Sequence, residues 1–283
     1  MTVDFSTDPV GMRALPPLGD CGWVDLHNHL LPALDDGPDD WASSIALCRM
    51  LVADGVTHAA ATPHMFGPYC EQGRMSTVLR RTAELASRLA EANIPLEIYQ
   101  GADVRIDSQW EKELPEGGVL ALGRGGNYIL VEPPHDVWIP APRVCDLLES
   151  SAYRGVLTHP ERHPRIKRGG AVLLQEWVDR DVIIQVTAGS LLGDYGSTAE
   201  RIAWDIIESP IAAIVASDAH DLVKRPPRMA AAAALIHQRL GQQHVMRLCR
   251  DTPWSLIFDT VPASANCRIK RTPVRMSRER AGA

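Results

Sequence analysis

The sequence predicts an α/β chain folded as a distorted TIM-like barrel of seven β/α units. Two observations carry this. Short apolar runs rich in Val, Ile and Leu alternate with stretches of helical period. Histidines and carboxylates recur just after those runs, where the strands of a parallel barrel all end on one face. An open doubly wound sheet is the alternative that alternation by itself leaves open.

The elements follow in order. Residues 1–20, rich in Pro, Gly and Asp, read as an irregular lead-in, and the barrel is expected over 21–262. The first strand is 23–26 (WVDL), with His27 and His29 behind it. A helix over 39–54 opens at Pro38 and Asp39, carries Ile45, Leu47, Met50 and Leu51, and stops at Gly55. The second strand is 57–61, followed by His64 and a helix over 75–92. The third, 96–100, leads to Asp103, and the fourth, 128–131, to Glu132 and a helix over 142–152. The fifth, 155–158, runs into His159 and a helix over 170–180. The sixth is 182–187, with a helix over 197–208. The seventh, 212–217, is followed by Asp218, His220 and a helix over 227–239.

Composition narrows the function. The chain has 283 residues and a formal charge of −6, which argues against a general nucleic-acid binder. The longest apolar run, Met229 to Ile236, is too short to span a bilayer. The start, MTVDFSTDPV, has no apolar signal-peptide core, and the six cysteines form no C-x-x-C pair, so a reduced, cytoplasmic protein is expected. From Arg268 on, six Lys/Arg and one Glu leave +5, so 263–283 reads as a basic, disordered tail.

Six of the ten histidines lie in four short motifs: His27 and His29, His64, His159 and His163, and His220. One such histidine is ordinarily a satisfied core residue. Special residues at six strand ends together fit that reading poorly. Histidine and carboxylate suit borderline divalent metals such as Zn, Mn or Fe. Eight candidate ligands (His27, His29, His64, Asp103, Glu132, His159, Asp218 and His220) exceed one tetrahedral ion and fit two or three ions with bridging carboxylates. Ions about 3.5–4 Å apart would clamp a phosphate oxygen and activate a bridging water, which is a hydrolase site. No cysteine has an arginine six positions on, and there is no G-x-G-x-x-G or G-x-x-x-x-G-K-[ST]. Cysteine-phosphatase and nucleotide-cradling loops are therefore absent. Arg162 and Arg225 stand beside candidate ligands and carry the planar fork that fits phosphate. Lys224 is a weaker candidate, and Ser190 fits a turn better than a substrate contact.

The motifs D-x-H-x-H (Asp25, His27, His29), LDDGP (34–38), TPH (62–64), GADV (101–104), VEPP (131–134), THPERH (158–163) and SDAH…RPP (217–227) resemble the PHP (polymerase and histidinol phosphatase) superfamily. Within it the chain is similar, over about 23–235, to the bacterial metal-dependent tyrosine-protein phosphatases of the CpsB/CapC/YwqE family. That resemblance implies a distorted barrel with a trinuclear site, usually loaded with Mn2+, though Fe, Co or Zn also fit. It implies one ion on His27, His29, Asp103 and Asp218, a second on Asp103, Glu132 and His159, and a third on Asp36, His64 and His220. Arg162 and Arg225 match the arginines expected at the phosphate, as substrate-binding and catalytic groups. The implied reaction is attack by a metal-bridging hydroxide on phosphotyrosine, typically on the tail of a bacterial tyrosine kinase that controls capsule or exopolysaccharide synthesis. Asp103 stands where the family usually has Glu, one methylene longer. His163, often Tyr in relatives, is expected at the surface. Two other readings use the same residues: a small-molecule phosphatase acting on a substrate such as histidinol phosphate, and a metal-dependent binding protein that has lost turnover.

Overall fold

The computed structural model describes residues 22–68, 75–123 and 126–258. The lead-in at 1–20 and the basic tail at 263–283 lie outside the described residues. The elements alternate as β1 (Trp23–Asp25), α1 (Trp41–Ala53), β2 (Val56–Ala61), β3 (His64–Met65), α2 (Met75–Glu91), β4 (Glu97–Gln100), β5 (Asp103–Arg105), α3 (Trp110–Glu113), β6 (Tyr128–Glu132), α4 (Ala141–Ser150) and β7 (Arg154–Thr158). After a 3-10 turn at Pro160–Arg162 come α5 (Pro164–Gly169), α6 (Gln175–Val178), β8 (Ile183–Thr187), α7 (Ala188–Leu191), α8 (Ser197–Glu208), β9 (Ala213–Ala216), α9 (Met229–Leu240), α10 (Gln242–Met246) and α11 (Thr252–Phe258).

Among the described residues, nine short strands replace the seven expected because two of those seven are broken. After β2 the chain turns through Thr62 and Pro63, and proline has no N–H for a ladder. After β4 it turns at Gly101, where a Cβ would meet Thr62 Cγ2 at 2.8 Å and Leu122 Cδ2 at 2.9 Å, so only glycine allows the approach. The continuations β3 and β5 then pair with each other in a second sheet. Both sheets are wholly parallel, ordered β1-β2-β4 and β3-β5-β6-β7-β8-β9.

Two links complete a circuit. The Leu122 and Gly123 amides donate to Tyr128 O (2.7 Å) and Gln100 O (2.8 Å), spanning β6 and β4. A single parallel bridge, Asn28 with Ala219, joins the chain beyond β1 to the chain beyond β9. The result is a distorted β/α barrel.

The strands read as near-continuous apolar runs because both faces are buried. Neighbouring residues divide between two cores with period two. Leu130, Val156, Ile183 and Ile214 point inward with Val24, Leu26 and Ala60. Val131, Leu157, Ile184 and Val215 point outward under helices, with Leu47, Leu85, Val144 and Ile202. Trp254, Leu256 and Ile257 of α11 join the inner core and close the floor of the barrel.

Helix α1 begins at Trp41, two residues after the expected start at 39. Asp40 caps α1, its carboxylate accepting from the Ser43 amide at 2.8 Å. Two differences stand out. The expected helix 170–180 is a 3-10 turn (Ala171–Leu174) running into α6, opened by Gly170 at φ +77°. The stretch after Leu240, not read as helical, forms α10, a π-helical turn at Arg247–Asp251, and α11. Residues 253–257 are buried on every side, so α11 shows no amphipathic stripe to recognise. Among the described residues, no helix is long and apolar enough to cross a membrane.

Candidate metal centre

Beyond β1 the backbone carries His27 and His29 across the mouth of the barrel. It is held there by Asp218 N to His27 O (2.7 Å) and His29 N to Ala219 O (2.8 Å). Asp25 secures the same junction from below: its carboxylate accepts from the Ser217 amide (2.9 Å) and hydroxyl (2.6 Å). Each histidine is oriented through Nδ1, which faces Gln185 Oε1 (3.0 Å) for His27 and Asp35 Oδ2 (2.7 Å) for His29. Gln185 Oε1 also accepts from the His159 amide at 3.1 Å, which identifies it as the oxygen. Both Nδ1 atoms therefore donate, so that Nε2 of each ring faces inward and offers its lone pair when it bears no proton. The two Nε2 atoms lie 3.4 Å apart, with Asp218 Oδ1 3.4 and 3.5 Å from them. Lone pairs and a carboxylate so placed repel unless a proton or a cation sits among them.

The opposite side of the mouth is built from the broken strands. His64, first residue of β3, donates its amide to Asp35 Oδ2 (2.9 Å). Its ring nitrogens stand 3.4 Å from Asp103 Oδ2, 3.6 Å from Glu132 Oε2 and 3.5 Å from Asp36 Oδ1. His220 Nε2 is 3.2 Å from Asp36 Oδ1, and its ring centroid is 3.6 Å from that of His29. His159 Nε2 is 4.0 Å from Glu132 Oε1. Asp103 lies between the two sides, with Oδ2 also 3.5 Å from His27 Nε2 and Oδ1 accepting from the Thr158 hydroxyl (3.2 Å).

All nine residues expected as ligands therefore converge. Their donor atoms form four overlapping groups able to hold an ion: His29, Asp36, His64 and His220; His27, Asp103 and His159; His27, His29 and Asp218; and His64, Asp103 and Glu132. All are buried except Asp36, at the rim. Asp103 belongs to two groups despite its short side chain. The donor set of imidazoles and carboxylates, with no thiolate, is that of Mn, Fe or Zn.

The site is electrostatically unbalanced in a way that fits cations. Asp103 Oδ2, Glu132 Oε2 and Asp218 Oδ1 are buried and accept no hydrogen bond. Burial opposes charging His27 and His64, yet nearby carboxylates, Asp103 foremost, raise them to about 9 and about 10. Burial, with the Asp103 charge beside it, pushes Glu132 up to about 7. Burial and the neighbouring His29 push His220 down to about 4, and burial with Arg162 holds His159 well below the ordinary histidine range. His159 and Asp218 both have left-handed backbones, at φ +33° and +53°. For such residues this costs about 1–3 kcal/mol and clusters at functional sites.

Arg162 and Arg225 each donate to Asp218 Oδ2 at 2.7 Å, and Arg225 also reaches Asp36 Oδ2 at 3.4 Å. Burial alone would raise Asp218, but the two guanidiniums hold it well below the usual carboxylate range. Asp218 thus turns one oxygen to the ligand cluster and the other to both arginines. The Nε atoms of Arg162 and Arg225 are buried donors without an acceptor.

Several residues differ from expectation. His163 is buried, not at the surface: Nε2 donates to Pro134 O (2.9 Å), Nδ1 accepts from the Arg165 amide (3.1 Å), and the ring packs 5.0 Å from Trp138. It caps α5, a task its place before Pro164 favours. Ser190 is also buried and donates to Glu161 Oε1 (2.7 Å), so it faces neither solvent nor substrate. Lys224 is exposed. The orienting groups Asp35, Gln185 and Thr158 carried no spacing signal of their own, although Asp35 lies within LDDGP. Cys48 and Cys249 are buried, which pushes their thiols up to about 12, so neither supplies a thiolate nucleophile.

Known proteins resemble this chain in sequence and in fold. The family model described as "Capsular polysaccharide synthesis, CpsB/CapC" matches residues 23–258. The tyrosine-protein phosphatase YwqE of Bacillus subtilis is 32% identical over 225 residues, covering 78% of this chain and 86% of that protein. The putative tyrosine-protein phosphatase CapC of Staphylococcus aureus is 29% identical over 204 residues, 72% of this chain and 79% of CapC. A crystal structure from work on YwqE and on CpsB of Streptococcus pneumoniae, described as unique metal-dependent tyrosine phosphatases, superposes with a TM-score of 0.76 at 30% identity, covering 84% of this chain and 95% of that one. The chain belongs to the CpsB/CapC family.

Proposed function

We propose that this protein is a metal-dependent protein-tyrosine phosphatase that cleaves phosphotyrosine to tyrosine and inorganic phosphate. One observation carries the reading: nine His, Asp and Glu side chains able to ligate metal meet at one mouth, and the carboxylate of Asp218 links them to two arginines. His27, His29, Asp103 and Asp218 would hold one ion; Asp103, Glu132 and His159 a second; Asp36, His64 and His220 a third. Mn2+ is the ion proposed, with Fe, Co or Zn as substitutes. Such ions supply Lewis acidity that activates water and offsets charge on the phosphoryl oxygens.

The chain's own groups do the rest. Asp35 and Gln185 hold the His29 and His27 rings so that Nε2 stays inward. Arg162 and Arg225, anchored on Asp218, set two guanidinium charges beside the ligand cluster for phosphoryl oxygens, where charge builds during transfer. A phenolate leaves more readily than an alkoxide, so a shallow site without a strong general acid suffices. The substrate proposed is a phosphotyrosine tail on a bacterial tyrosine kinase that controls capsule or exopolysaccharide assembly, met in the cytoplasm. The test is hydrolysis of p-nitrophenyl phosphate and phosphotyrosyl peptides by Mn2+-loaded protein. Activity on both, abolished by chelation and restored by Mn2+, supports the reading, and a loaded protein inert on both overturns it.

A further inference from the structure

A third arginine faces the mouth and has no part in the chemistry above. Arg105 ends β5, two residues after Asp103, so both side chains lie on the same face of the strand. Its partner in the parallel ladder is Glu132. The inner face of the sheet thus carries Asp103 and Glu132 at ligand level and Arg105 one step further toward the rim. Arg105 lies close enough to Glu132 and His135 to act on the charge of both.

Its setting is unusual for a cation. The side chain is 15% exposed, yet the one carboxylate within ion-pair distance among the described residues is Asp136, itself 80% exposed and 3.8 Å away. A contact that long to a solvated partner contributes little. The arginine stem is nevertheless held firmly. It crosses Gly67, where φ is +77° and any Cβ would overlap Arg105 Cδ. Among the described residues the fold therefore reserves space for a largely buried arginine and gives it only a distant, displaceable ion-pair partner.

The geometry also says which anion it awaits. Arg162 follows β7 and Arg225 follows β9, and both are tied to Asp218. Arg105 stands on β5, two and four strands away in the sheet. A phosphoryl group gripped by Arg162 and Arg225 leaves Arg105 for a second negative group on the same substrate. We propose that Arg105 is a specificity-determining residue that binds an acidic side chain flanking the phosphotyrosine, with Asp136 occupying it until substrate arrives. This rests on the phosphatase reading above.

Steady-state kinetics of Mn2+-loaded protein on three substrates test it: p-nitrophenyl phosphate, a phosphotyrosyl peptide with acidic flanks, and the same peptide with neutral flanks. Arg105→Ala is expected to raise KM for the acidic peptide by about tenfold, the scale of one lost charged hydrogen bond. It should leave the other two substrates, kcat and metal content within about twofold. Asp136→Asn is expected to lower KM for the acidic peptide alone. Arg105→Gln and the exposed Asp136→Asn keep the test readable if the alanine variant fails to fold. Equal KM changes on both peptides, a matching loss on p-nitrophenyl phosphate, loss of metal, or an Asp136→Asn variant that behaves as wild type would overturn the proposal. A wild type inert on all three substrates would overturn the phosphatase reading and this role with it.

Discussion

The two ends of the barrel are made from the same strands and have opposite chemistry. At the floor, Val24, Leu26, Leu130, Val156, Ile183 and Ile214 fill the interior and α11 seals it with Trp254 and Ile257. At the mouth, a few residues further along, the same strands and the turns just past them carry His27, Asp103, Glu132, His159 and Asp218. The floor is apolar and closely packed, and among the described residues the unpartnered atom it buries is the neutral indole N–H of Trp254. The mouth instead buries charge: oxygens of Asp103, Glu132 and Asp218 lack donors. Stability and function are thus separated along the barrel axis, the pattern expected of β/α barrels.

That separation can be broken from either end. The largest effect is expected for His27→Ala or Asp218→Ala, which should lose bound metal and activity together by more than about 100-fold, exceeding what an orienting group alone costs. Metal analysis beside p-nitrophenyl phosphate turnover checks this, and full metal content with lost activity would contradict it. Arg225→Ala should keep its metal and lose kcat by about 10²–10³-fold, as when one oxyanion donor is removed. Gln185→Ala should loosen metal binding by about 10–100-fold, because His27 loses the acceptor that fixes its tautomer.

From the floor the outcome reverses. Ile257→Ala should cost about 2–5 kcal/mol by denaturant unfolding, with metal stoichiometry and kcat at low temperature unchanged. A floor variant that loses metal while still folded would show that the two ends are coupled. The smallest signal sharpens the mouth itself. His27 and His64 are raised to about 9 and about 10 without metal, so both carry protons at pH 7.5. Ligation requires them neutral, so Mn2+ loading at that pH should release protons, and affinity should fall as pH falls. Calorimetry in buffers of different ionisation enthalpy measures the release.

Much of this was legible in the order of residues. Period-two burial on both faces makes the strands visible as apolar runs, and motifs such as HPER and SDAH sit just past those runs. The orienting groups were harder. Asp35 and Gln185 act on histidines 6 and 158 positions away, a relation that no local spacing encodes. His163 looked like a surface residue because its partners, Pro134 O and Trp138, come from another loop.

The sequence by itself showed the alternating α/β architecture, eight candidate ligands and the candidate arginines Arg162 and Arg225, because side-chain period and ligand type are local properties; Asp36 was legible only through the family resemblance. Only the tertiary structure decided which ligand faces which, that α11 closes the floor, and that Arg105 rises beside Glu132 with a poor partner. Those depend on where strands break and on which oxygen is left without a donor once the chain has closed on itself, and these are properties of packing in three dimensions.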